Sequence, residues 1–256
     1  MPTQPYKNQA GTRVPGVTTV IGGNLGWSKD GLMFWANKMG LQGLSLNDAR
    51  QNPANKAAAT GTVVHDMIEE TIHGRSSDVV LERASDDPTF SPEQVQAARD
   101  AFEGFRYWYA SSRLRIIATE VWGVDEGYQT GYCADALAVE PGLDGKDDQL
   151  VLVDWKTSSG TYEDHVIQVA AYVALIERLL KEGRAFNGGE WDAKALAPYL
   201  GTDVQMGAAH VLRVDKETGM FSHKRWFRTH LEQAWSAFTH LRALHKMRTG
   251  IRAMCK

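Results

Sequence analysis

Asp154 and Lys156 stand two residues apart at the end of the apolar run VLVDWKT. In a strand, residues two apart share a face, so the acid and the amine are neighbours and Trp155 between them points to the opposite layer. A second acid, Asp135, interrupts the apolar run GYCADALAVE, and a third, Glu120, lies in RIIATEVWGVD one strand earlier. Burying a carboxylate without a partner costs several kcal/mol or shifts its pKa strongly. Three of them on adjacent strands repel one another unless a cation sits among them. Lys156 offsets one charge and not three, which argues for a bound divalent metal with oxygen ligands. An isolated D-x-K is more often a simple intrasheet ion pair, and a lone helical histidine is more often structural. The set is larger than either: His65 precedes the sheet on a helix, and Gln168 and Tyr172, four apart, share one face of the helix that follows the Asp154 strand.

The elements that must position these residues are legible from periodicity. DGLMFWANKMGLQGL places Leu32, Trp35, Ala36 and Met39 on one helical face, and TGTVVHDMIEETIHG places Val64, Ile68 and Ile72 on another, each ending near glycine. The polar stretch from Ser76 to Thr89, with three aspartates, reads as a loop. Ser91-Pro92-Glu93-Gln94 is a helix start with a capping box, and that helix should run to about Ser112. The period then changes: residues 115–140 read as a hairpin turning near Asp125-Glu126-Gly127, and PGLDGKDD supplies the turn into the central strand QLVLVDWKT. YEDHVIQVAAYVALIERLLKEG is an amphipathic helix ending at Gly183. A Gly/Asn break at 187–189 leads to a second hairpin turning at Glu217-Thr218-Gly219, and the basic segment HLEQAWSAFTHLRALHKMRTG reads as a last helix. The expected fold is α/β, a central mixed β-sheet flanked by helices. It is read as a single domain over 1–256, with a helical leader (1–59), a core carrying the chemistry (60–183), and a C-terminal hairpin and basic helix (184–256).

The series Gly61-x-x-x-His65, Glu120, Gly131-x-x-x-Asp135, Asp154-Trp155-Lys156-Thr157 and Gln168-x-x-x-Tyr172 resembles the RecB-like branch of the PD-(D/E)XK nuclease superfamily, a restriction-endonuclease-like fold. The opening VPGVTTVIGGNLGWSKDGLMFWANKMG is similar, more diffusely, to the leader of phage-type members and of the mitochondrial genome-maintenance exonuclease. The resemblance implies that Asp135, Asp154 and the carbonyl of Trp155 bind Mg2+ or Mn2+, that His65 adds a ligand, and that Lys156 assists the attacking water. It implies a metal-dependent DNA exonuclease acting on single-stranded or flap ends in replication, recombination or repair. A double-strand-specific 5′ to 3′ recombination exonuclease shares the same series. A non-catalytic DNA-binding module on this fold is the alternative of another class, against which the intact Asp135, Asp154 and Lys156 speak. The chemistry is sensible in itself, because a phosphodiester repels hydroxide and a cation offsets that repulsion while lowering the pKa of a bound water. Lys156 is expected to orient and stabilise charge rather than to abstract a proton. Gln168 and Tyr172 would reach the phosphate or brace Lys156, and Glu120 would support the metal or the lysine.

Composition bounds the rest. The net charge is −3, yet ten basic and three acidic residues from His210 onward give that segment +7 and leave −10 for the remainder. Within it, FSHKRWFRTH interleaves Lys224, Arg225 and Arg228 with Trp226 and two phenylalanines, as a groove tracking a nucleic-acid strand would, without sequence specificity. Two cysteines form no disulfide framework, and relatives carrying an iron-sulfur cluster need four, so no such cluster is expected. No phosphate-cradling G-x-x-x-x-G-K-[ST] occurs, so no ATP is expected. Neither a secretion signal nor a membrane span is legible, which points to the cytoplasm of a bacterial or phage-infected cell. DNA is the expected partner, together with a single-strand-binding or recombination protein.

Overall fold

The computed structural model of the protein describes residues 5–26, 29–43, 45, 53–142, 147–158, 160–215 and 220–255. After a short bridged segment come helices α1 (Val17–Asn24), α2 (Lys29–Leu41), α3 (Pro53–Ile72), α4 (Asp78–Asp86) and α5 (Pro92–Ser112). Then follow β1 (Arg115–Asp125), β2 (Thr130–Glu140), β3 (Gln149–Thr157), α6 (Glu163–Lys181), β4 (Gly188–Trp191), the single-turn α7 (Ala193–Leu196), β5 (Ala208–Val214), β6 (Phe221–Phe227) and α8 (Arg228–Met254). The six strands form one mixed sheet in the order β4-β1-β2-β3-β5-β6. All neighbours are antiparallel except β3 and β5, whose connection carries α6. This is the expected α/β architecture.

Central β3 is buried on both faces from Leu150 to Trp155, the continuous apolar pattern of an inner strand. On one face Leu150 and Leu152 pack with α6, α1 and α8, whose Val20, Ile176 and Phe238 are buried. On the other, Val151, Val153 and Trp155 pack with α3, α4 and α5 through Met67, Leu81 and Phe105. The helix α5 starts as its sequence dictates: Ser91 caps it, Pro92 follows, and Gln94 Oε1 accepts the Ser91 N–H at 2.8 Å.

Two segments differ from expectation. The stretch 76–89 is not a loop but holds α4. Its Val80, Leu81 and Ala84 are buried, while Asp78 sits in the first turn, where a negative charge suits the helix dipole. Three aspartates on one short segment masked that apolar stripe. Gly188 and Gly189 of the break at 187–189 belong to β4, an edge strand on β1. In α2, Met39 is buried and Ala36 half-buried, whereas the side chains of Leu32 and Trp35 lie outside the described residues, as does the turn 217–219 of the second hairpin. The helix carrying His65 begins at Pro53 and so crosses the boundary drawn between leader and core.

Candidate active site

The site lies at a fork in the sheet. β2 and β3 are paired from Glu140 with Gln149 as far as Ala136 with Val153; beyond that β3 runs on beside β5 alone, through Thr157. Where the ladder has ended, the Trp155 N–H donates instead to Asp135 Oδ2 at 2.7 Å. This turns Asp135 into the fork and satisfies a buried backbone donor that would otherwise be costly. On the face of β3 that Leu150 and Leu152 occupy, Lys156 Nζ stands 2.6 Å from Asp154 Oδ2. Trp155 points into the opposite layer, its ring 6.0 Å from both His65 and Phe105.

Glu120 reaches the fork through distorted backbone. It stands abreast of Asp135, between the pairs Thr119 with Ala136 and Val121 with Ala134. Its φ is 47°, the left-handed region that non-glycine residues rarely adopt. The pairing with β4 slips here, between Thr119 and Trp122. Gly189 of β4, at φ 108°, fits against this bulge so closely that a Cβ on it would lie 2.6 Å from the Glu120 carbonyl oxygen. The result aims the Glu120 carboxylate at His65, with Oε1 3.9 Å from Nδ1, while the Cys133 thiol donates to Oε2 at 3.8 Å.

His65 is delivered by close approach of α3 to the end of β3. A Cβ on Gly61 would stand 2.5 Å from Thr157 Oγ1, so only glycine lets the helix come this near. One turn later His65 Nε2 lies 3.6 Å from Asp135 Oδ2. From α6, Gln168 Nε2 donates to the Tyr172 hydroxyl at 2.8 Å, and Tyr172 is buried.

The electrostatics follow from burial. Asp154, fully buried, has its pKa pushed up to about 6 by desolvation and by Asp135, against the pull of Lys156. For Asp135 the burial penalty is outweighed by His65, Lys156 and the Trp155 N–H, which hold it below the usual carboxylate range. Burial would lower the Lys156 pKa, but the carboxylates of Asp154 and Asp135 outweigh it and raise it. His65 is likewise raised, the carboxylates of Asp135, Glu120 and Asp154 overcoming desolvation. Glu120 is raised by burial and by Asp135. This is a site with more buried negative charge than its cations balance.

Asp154 Oδ1 is buried without a hydrogen-bond partner. An orphaned carboxylate oxygen beside a second carboxylate is what a hard divalent cation takes as ligands, so the donors fit such an ion in kind. Among the described residues, no three His, Cys, Asp or Glu side chains already stand together as a metal cage.

The expected DNA-contacting residues divide. Lys224 is exposed on β6 and lies in one cross-strand row with Asp154, through Val211 of β5, about 10 Å away at two strand spacings. Its ammonium lies 5.8 Å from the Trp226 ring centre, and Trp226 packs its body on the α6-side core. Arg225 is tied to Glu140 at 2.6 Å, and Arg228 pairs with Glu177 and Glu232. These two arginines are not brought to the fork.

One residue that spacing alone does not single out also borders the fork. His165, near the start of α6, accepts the Tyr162 N–H on Nδ1 at 3.3 Å. Burial and the Lys156 charge lower its pKa. Its place three residues before Gln168 was the available signal.

Residues 38–234 match the model of the PD-(D/E)XK nuclease superfamily. No curated protein matches the chain. Among solved structures, one described as the crystal structure of SSO0001 aligns over 71% of this chain and 74% of that one, at 10% identity and a TM-score of 0.27. No helix among the described residues is long and apolar enough to cross a membrane. With the family model covering most of its length, the chain belongs to the PD-(D/E)XK nuclease superfamily.

Proposed function

We propose that this protein is a Mg2+- or Mn2+-dependent DNA exonuclease of the RecB-like branch, trimming single-stranded or flap ends in replication, recombination or repair. The observation that carries the reading is Asp154: fully buried, with an orphaned Oδ1, beside Asp135 and the Lys156 ammonium. Nucleases of this superfamily generally use divalent metal ions. Asp135, Asp154 and the Trp155 carbonyl would hold the ion, with His65 as a further ligand. Such an ion supplies positive charge to the phosphoryl oxygens and acidity to a water. The chain's own residues do the remainder. Lys156, held charged, orients the nucleophile and stabilises negative charge that develops in the transition state, as fixed charges in a dry site do most effectively. Glu120 keeps His65 in place. Gln168 and Tyr172 brace the floor beneath Asp154 and Lys156. Lys224 and Trp226 extend the track for a sugar-phosphate backbone, with Arg225 and Arg228 flanking it. The leader (1–59), core (60–183) and C-terminal hairpin with helix (184–256) act as one domain in the cytoplasm, without ATP or an iron-sulfur cluster.

The test is a divalent-metal panel on end-labelled single-stranded, flapped, blunt duplex and closed circular DNA. Metal-dependent release of labelled products from single-stranded and flap ends, with the circle untouched, is the expected result. Tight DNA binding with no cleavage in any metal would instead identify a binding module.

A further inference from the structure

Residues 6–14 form a strap ahead of α1. Lys7 bridges Arg13, the Val14 N–H donates to Tyr6 O at 3.0 Å, the Asn8 N–H to Thr12 O at 2.9 Å, and Gly11 makes the turn at φ 75°. The strap is pinned to the turn between β1 and β2. Asn8 Nδ2 donates to Gln129 Oε1 at 2.6 Å, the Gln9 N–H to Glu126 Oε1 at 2.9 Å, and the Gly131 N–H to Pro15 O at 2.9 Å.

Its one aromatic ring is seated on purpose-built ground. A Cβ on Gly131 would lie 2.1 Å from Tyr6 Cγ, and one on Gly16 would lie 2.9 Å from Tyr6 Cε2, so the phenol rests directly on the β2 backbone. Trp122 of β1 stands beside it, ring centres 6.4 Å apart and planes at 58°, and both residues are half-buried. The platform leads into the acidic fork. Gly131 and Cys133 alternate onto one side of β2, Cys133 donates to Glu120, and Asp135 follows roughly 13 Å along the strand from Gly131. After burial, it is Cys133 and Glu120 that raise the Tyr6 pKa, as neighbours of the fork would.

We infer that Tyr6 and Trp122 form a base-stacking subsite that takes an unpaired nucleobase within a few nucleotides of the carboxylates. Aromatic faces bind any base, because every base has a π-face, but the base must first be out of a duplex stack. The subsite therefore selects single-stranded ends. The inference rests on the reading of the chain as an enzyme of DNA ends, and gives the leader a direct role at that site.

The experiment is a binding cycle with the full chain in EDTA. A fluorescein-labelled single-stranded oligonucleotide is compared with the same strand carrying an abasic nucleotide, walked through its terminal positions. Tyr6→Leu, which keeps bulk over Gly131 but removes the ring, should weaken binding of the intact strand about tenfold or more. It should leave blunt-duplex binding nearly unchanged. At one abasic position the wild type should lose the same factor and Tyr6→Leu no more. Gly131→Ala, which displaces the ring, should copy Tyr6→Leu. Independent, multiplying losses at every position overturn the subsite, as does unaltered binding by Tyr6→Leu or no binding by the wild type. Cleavage is followed separately with Mn2+ restored: its absence in the wild type would refute the nuclease reading while the binding cycle stands or falls by itself.

Discussion

Asp135 and Trp155 are joined by a hydrogen bond from backbone to carboxylate, 2.7 Å long, across the point where β2 and β3 separate. The residue between Asp154 and Lys156 thus supplies the donor that fixes the other acid. One peptide unit sets the spacing of the two carboxylates, and movement of β3 moves both. His65, Lys156 and the Trp155 N–H hold the buried Asp135 carboxyl down, whereas at Asp154 desolvation and the neighbouring Asp135 outweigh the Lys156 ammonium and push it up.

The ion pair of Asp154 and Lys156 should serve chemistry more than stability. Lys156→Met, leaving Asp154 buried and unpaired, should cost about 3 kcal/mol or more, and Asp154→Leu/Lys156→Met together should recover most of it. Denaturant titrations of the two variants check this. All such variants should have lost cleavage by a factor of at least about a hundred.

Glu120 and Gly189 hold one another in unusual backbone. Gly189→Ala meets both a disfavoured φ and the backbone of β1, so it should lower stability by about 1–3 kcal/mol. Glu120→Gly should leave thermal stability equal or higher, since glycine adopts φ 47° freely, while slowing cleavage. Melting temperatures compared with initial rates separate the two effects.

Gly61 sets the position of His65. Gly61→Val should cost about 1–3 kcal/mol through overpacking against Thr157, and should raise the metal concentration needed for half-maximal cleavage. His65→Ala should raise that concentration too, with little effect on melting. Metal titrations of cleavage, read beside thermal melts, make the comparison.

A pH effect is built in away from the fork. His210 Nδ1 and His223 Nε2 are 3.0 Å apart with rings nearly parallel, Trp108 packs against them, and Glu140 lies 3.9 Å from His210 Nε2. Burial, then His223 and Arg225, lower the His210 pKa from 6.5 to about 3. Below pH 6.5 the unfolded chain therefore takes up a proton that the folded one refuses. This contribution to stability is intact above 6.5 and falls away as the pH drops toward 3, by up to about 1.4 kcal/mol per pH unit. Denaturant melts at several pH values should give a shallower acid loss for His210→Asn than for the wild type. Equal slopes would contradict the assignment.

The legible parts were those governed by a fixed period. Alternation put Asp154 and Lys156 on one face and Trp155 on the other, and the capping box at Ser91 marked the start of α5. What periodicity does not encode is where strands part, so the fork and the Asp135 to Trp155 bond were invisible. The left-handed backbone at Glu120 was equally so, because a reading by alternation assumes a regular strand. α4 was lost because its polar residues outnumber a short apolar stripe. Arg225 and Arg228 look free in sequence. Their partners Glu140 and Glu177 come from β2 and α6, far along the chain.

The role proposed for the buried carboxylates at the fork is to hold a divalent ion that drives phosphodiester hydrolysis. Its most direct measurement is a Mn2+ titration of cleavage on an end-labelled single strand, run with wild type and with Asp154→Ala, folding of both verified by circular dichroism. Saturable, EDTA-reversible cleavage by the wild type and none by Asp154→Ala at any metal concentration is the expected result. Comparable turnover by the folded Asp154→Ala protein, or metal-independent cleavage by the wild type, would contradict it.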